Sequence, residues 1–173
     1  VPEVRARDRD GDEIAASRTN AVSLRLGPHI SAGRHSLAIL REWFALAQGI
    51  AIQLDAMMIC WVPGGFASPV DQLAPHLAEW DVRGHVPVTL LASFRRTLDG
   101  AIQSQGLQYF TGQEFRIEPP LVSADETPLA RVLFAHLFFA GTQEDTGQLI
   151  APDGRTLRLE PSDNGRYVRV WPG

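Results

Sequence analysis

Three short stretches near the C-terminus, 148–151, 156–160 and 166–171, constrain the fold more than any other part of the chain. They are separated by Pro152-Asp153-Gly154 and Asp163-Asn164-Gly165. Asp-Gly and Asn-Gly pairs supply the positive backbone angles that tight hairpin turns require, so the segment is predicted to be a β-hairpin or small meander. Side chains alternate along a strand, which puts Tyr167, Arg169 and Trp171 on one face and Val168 and Val170 on the other. With the valines turned inward, a Tyr-Arg-Trp row is left exposed. Those residue types dominate binding hot spots, which makes the row a candidate interaction surface.

Upstream, the hydrophobic period shifts repeatedly. Residues 21–26 alternate Val22, Leu24 and Leu26 with polar neighbours, a strand pattern. From Ser31, a candidate N-cap, apolar residues recur at spacings of three and four (Leu37, Leu40, Phe44, Ala47, Ala51, Leu54), as on the buried face of a long helix. The apolar run 56–62 ends at Pro63-Gly64-Gly65 and predicts a strand buried on both faces. Ser68-Pro69 marks the start of a second helix that contains Pro75 and stops at Gly84. Residues 86–94 then predict a strand and Asp99-Gly100 a turn. In 105–120, two glycines, two aromatics and Glu114 form a bend that feeds a strand over 114–118. A last helix runs from Asp125 or Thr127 to Gly141. Helices and strands mix without strict alternation. The expected class is α+β: a mixed or antiparallel sheet packed by two or three helices, with ferredoxin-like elements and a C-terminal hairpin. With 173 residues, a polar segment over 1–20 and one domain over 21–173 are expected.

Composition removes several chemistries. All sixteen basic side chains are arginine. A guanidinium does not deprotonate, so Schiff-base catalysis has no amine to use, and P-loop and kinase phosphate sites have no lysine. The bias itself points to a GC-rich bacterial genome. Cys60 is the one cysteine, which rules out an intrachain disulfide. A net charge of -4 lacks the basic footprint of a nucleic-acid binder. No apolar run approaches the roughly 20 residues of a membrane span, and no secretory pattern opens the chain, so a cytoplasmic protein is expected.

Candidate reactive groups are few. Asp8, Asp10 and Asp12 have the first spacings of a calcium loop, but Glu13 and Thr19 stand where it needs Gly and Glu, and a solvated Asp-Gly turn fits better. Cys60, among Met58, Ile59 and Trp61, fits an inert core thiol. No two histidines have the i, i+4 spacing of a zinc clamp, so no metal site and no cofactor are expected. The Gly106–Gly112 glycines precede a strand, whereas a phosphate-cradling loop precedes a helix. Glu114, Arg116 and Glu118 share one face of their strand and fit a solvated, salt-bridged edge. If the 105–114 bend lines a ligand pocket, His29, His35, Arg95 and Glu114 are the polar groups expected to converge there.

Taken together, Cys60-Trp61 after a long helix, Gly106-Leu107, Phe110, Gly112 and Glu114 before a strand, and a helix closed by Gly141 resemble the bacterial domain-of-unknown-function family 4261, over residues 21–160. Where that family is expected to carry a threonine before the Gly-Leu pair, this chain has Ser104-Gln105. The resemblance implies an α+β domain and supplies no catalytic residues. Two functional expectations stand. The first is a non-enzymatic module that binds a protein partner or forms a homodimer. The second is a small-molecule binder or enzyme with its pocket at the bend.

Overall fold

The computed structural model describes residues 5–7, 13–15, 21–83, 85–122 and 127–173; Asp8, Asp10 and Asp12 lie outside them. The protein is α+β. Contacts within the chain gather into two compact units, Val1–Leu90 and Leu91–Gly173.

In the first unit, β1 (Arg5–Arg7) and β2 (Glu13–Ala15) pair antiparallel. Residues 21–26, predicted as a strand, have no strand partner and are not in a sheet. Alternation makes a strand only where a neighbour completes the hydrogen bonds. A 3-10 turn at Ser31–His35 precedes helix α1 (Leu37–Gln53), whose N-cap is Ser36 rather than Ser31. Leu40, Phe44 and Ala51 are its buried residues, as the spacing predicts, while Leu54 is exposed. β3 (Met58–Trp61) is not buried on both faces. It pairs on one side with β4 (Phe66–Pro69), and Met57 and Val62 are exposed. Gly65, at φ 67°, closes the turn, so Pro63-Gly64-Gly65 joins two strands instead of ending one. Ser68-Pro69 consequently ends β4, and α2 (Val70–Arg83) follows it directly. Phe44, Trp61 and Trp80 bring α1, β3 and α2 together, with ring centroids 5.3 and 6.4 Å apart.

Residues 86–94 are also not one strand. The Leu90 N–H donates to the Pro87 carbonyl at 2.8 Å and winds a single turn, α3 (Val88–Leu91). β5 begins only at Ser93 and runs to Arg96.

The second unit is a six-stranded mixed sheet. Its members are β5, β6 (Ile102–Gln105), β7 (Glu114–Ile117), β8 (Gly147–Ile150), β9 (Thr156–Pro161) and β10 (Tyr167–Pro172), in the order β5-β6-β7-β10-β9-β8. The β8-β9-β10 meander matches the turn signals, with Gly154 and Gly165 at positive φ. Between β6 and β7 lies a single helical turn, α4 (Gln108–Thr111). Helix α5 (Thr127–Ala140) connects β7 to the meander, which lets β10 lie parallel to β7. One sheet face supplies Ile102, Phe115, Ile117, Leu157, Leu159, Val168 and Val170 to the core, all buried. Against this face pack Leu129, Leu133, Phe134, Leu137 and Phe138 of α5, with Phe110 of α4.

Candidate functional site

Apolar side chains fill one face of the second unit's sheet, so the polar residues of the same strands must leave by the other. The register aligns them across five strands. Arg95 lies opposite Gln103, Gln103 opposite Arg116, Arg116 opposite Arg169 and Arg169 opposite Glu160. Trp171 lies opposite Arg158 in the next row.

Two acids on β7 and at its end organise the unit. At the strand's start, Glu114 closes the bend. Its Oε1 accepts the N–H groups of Gly106 (2.7 Å) and Gln108 (3.1 Å), and its Oε2 accepts the Leu107 N–H (3.2 Å) and the Ser104 hydroxyl (2.6 Å). The same Ser104 oxygen accepts the Phe115 N–H at 2.9 Å. Successive N–H groups at the start of a helical turn form an anion-binding concavity, and here the anion is the chain's own carboxylate. Gly106 makes the bend feasible, at φ 122°. Gly106 therefore does precede a helix, one of four residues and too short to leave a period in the sequence, while Gly112 caps the C-terminus of that turn and leads into β7. Around the bend, Gln113 exchanges two hydrogen bonds with the Gln143 backbone, at 3.0 and 2.8 Å.

The second acid, Glu118, is 2% exposed. Its Oε1 accepts from Arg169 Nε at 2.6 Å and from Arg116 Nε at 3.2 Å. Arg116 also bonds Asp99 through Nη2. The Arg169 guanidinium lies 4.6 Å from the centre of the Trp171 ring, within cation–π range, and Glu118 raises its pKa. Beside it, the Tyr167 hydroxyl accepts from Gln103 Nε2 at 3.1 Å. Trp171 Nε1 is enclosed without an acceptor among the described residues. A shallow, open depression bordered by Arg95, Thr97, Asp99 and Gln103 adjoins this group. Of the Glu114-Arg116-Glu118 set, Arg116 and Glu118 are salt-bridged as expected, Glu114 accepts backbone N–H groups and a hydroxyl instead, and the set is not a solvated edge. β7 is an interior strand, and both of its carboxylates are buried.

The four predicted ligand residues fall in different units: His29 and His35 in the first, Arg95 and Glu114 in the second. Both histidines are exposed. Partial burial and the neighbouring Arg34 lower the His35 pKa. Arg95 is exposed on β5, and Glu114 is committed to its cradle. Tyr167, Arg169 and Trp171 share a face as predicted, with Val168 and Val170 buried opposite, but each of the three is half-buried rather than exposed. Cys60 is half-buried, and burial pushes its thiol up. Among the described residues, no cluster of His, Cys, Asp and Glu is suited to a metal, and no helix is long and apolar enough to cross a membrane.

Sequence reasoning missed Ser104, Gln103 and Asp99 as members of these networks. Nothing local marks them, since their partners lie 10 to 64 residues away.

No family model, curated protein or solved structure matches the chain.

Proposed function

We infer that the second unit is a protein-binding or self-associating module that works through the polar face of its six-stranded sheet. The observation that carries this reading is the clamp at Glu118. One buried carboxylate holds Arg116 and Arg169, and Arg169 lies over Trp171. Side chains held in place before contact lose less conformational entropy on binding, and Arg, Trp and Tyr are the types that anchor interfaces. The likeness to family 4261 supplies no activity. The competing reading, a small-molecule or catalytic pocket at the 105–114 bend, has less support because Glu114 already accepts four hydrogen bonds.

Sedimentation velocity over a hundredfold range of concentration tests the self-associating form. The expected result is a species heavier than 19.0 kDa that Arg169→Glu returns to the monomer. A wild type that stays monomeric throughout removes the homodimer and leaves only a different partner.

A further inference from the structure

Resting on that reading, we propose that the partner of this face is an acidic protein segment in extended conformation, whose carboxylates bind a row of arginines running across the strands. The row is Arg95, Arg116 and Arg169, on β5, β7 and β10, with Gln103 of β6 between the first two.

Three observations lead to this partner. First, the guanidiniums have unused donors. Glu118 takes both Arg116 and Arg169 by Nε. Both terminal nitrogens of Arg169 and one of Arg116 then lack an acceptor among the described residues. Arg95 is exposed and has no partner among them. An arginine fork with free terminal N–H groups is matched by a carboxylate in two-point contact.

Second, charge is unevenly placed. The face holds four of the eight arginines of residues 91–173 (Arg95, Arg116, Arg158 and Arg169) and four of the ten acids (Asp99, Glu114, Glu118 and Glu160). Glu114 and Glu118 are buried, which leaves Asp99 and Glu160 as the acids beside the arginines at its surface. A locally basic face on an acidic unit attracts a short acidic segment at close range. It also lacks the long-range pull that a nucleic acid or an anionic membrane would need.

Third, the spacing suits a peptide. Arg95 and Arg169 are three strand separations apart, about 14 Å, which an extended chain rising about 3.3 Å per residue covers in roughly four residues. Two acids at i and i+4 of a segment laid across the strands would reach both ends of the row. The Trp171 ring and the Tyr167 hydroxyl flank its Arg169 end.

The test is fluorescence anisotropy with labelled Gly/Ser peptides that carry two glutamates four residues apart. A Gln-for-Glu peptide and an oligothymidine of similar length serve as comparisons. The glutamate peptide should bind the full chain, and binding should weaken as salt rises. The Gln peptide should bind about tenfold more weakly, equivalent to about 1.4 kcal/mol. Arg95→Gln and Arg169→Gln should each weaken binding several-fold. Arg95 is exposed and has no partner among the described residues, so its substitution should leave the thermal midpoint unchanged and report on binding. The proposal is overturned if the two peptides bind alike, if neither substitution matters, or if the oligothymidine binds as tightly, which would assign the row to phosphates. If the peptides fail while sedimentation shows association that Arg169→Glu abolishes, the face is an interface for a partner of another kind. If both fail, the interaction reading fails with the proposal.

Discussion

Glu114 and Glu118 are four residues apart on one strand pattern and do different things. Glu114 satisfies three backbone N–H groups and a hydroxyl inside the bend. Glu118 accepts from two guanidiniums whose side chains are partly exposed to water. Removing an acceptor from buried donors costs their desolvation, whereas exposed donors turn to solvent. Glu114→Gln places an amide N–H₂ against N–H donors and should cost about 2–4 kcal/mol in urea unfolding, with Glu114→Ala partly rescued by acetate. Glu118→Gln should cost less, about 1–3 kcal/mol, because side chains 22% and 43% exposed can rehydrate. Equal costs for the two substitutions would refute this division of roles.

Among elements, those with a long period or a strong turn signal are the ones the sequence announces. α5 is legible from Leu129, Leu133 and Leu137 and stops where Gly141 takes φ 79°. A side chain added there meets nothing within 4 Å, so only backbone conformation opposes it. Gly141→Ala should therefore cost about 1–2 kcal/mol, read as a lower thermal midpoint with the same denaturant slope. A neutral result would mean that the helix end relaxes to another conformation. Elements of four residues are silent by comparison. α3, α4 and β4 are each shorter than the window in which a period becomes visible. Residues 86–94 illustrate the consequence, since an apolar run reads as a strand while local backbone hydrogen bonds, among them Leu90 N–H to the Pro87 carbonyl, fold part of it into a turn.

At the scale of the molecule, twenty acids face sixteen arginines, and the folded chain uses some of these acids as acceptors. The Thr97 hydroxyl and then Arg116 hold Asp99 below the usual carboxylate range, and the Arg155 backbone N–H does the same for Asp153. A carboxylate depressed in the folded state contributes stability above its unfolded pKa, and that contribution disappears as pH falls through the folded value. Unfolding midpoints should hold near neutral pH and drop as pH passes below about 4, with Asp99→Asn removing part of the drop. A midpoint that falls equally in the variant would show that Asp99 contributes nothing to the acid transition. Salt should soften these exposed contributions while leaving the buried Glu114 cradle intact.

Local chemistry in the sequence determined the α+β class, the α1 and α5 stripes, the C-terminal meander and the facing of Tyr167, Arg169 and Trp171. Each of these depends on a repeat or a turn residue within a few positions. Tertiary structure alone decided that β7 is an interior strand beside β10, more than fifty residues later in the chain. Burial follows from that neighbour. The same Glu-Phe-Arg-Ile-Glu alternation would be a solvated edge on an outer strand. Between β6 and β10 it encloses two carboxylates, one spent on a bend and one left to aim two arginines outward.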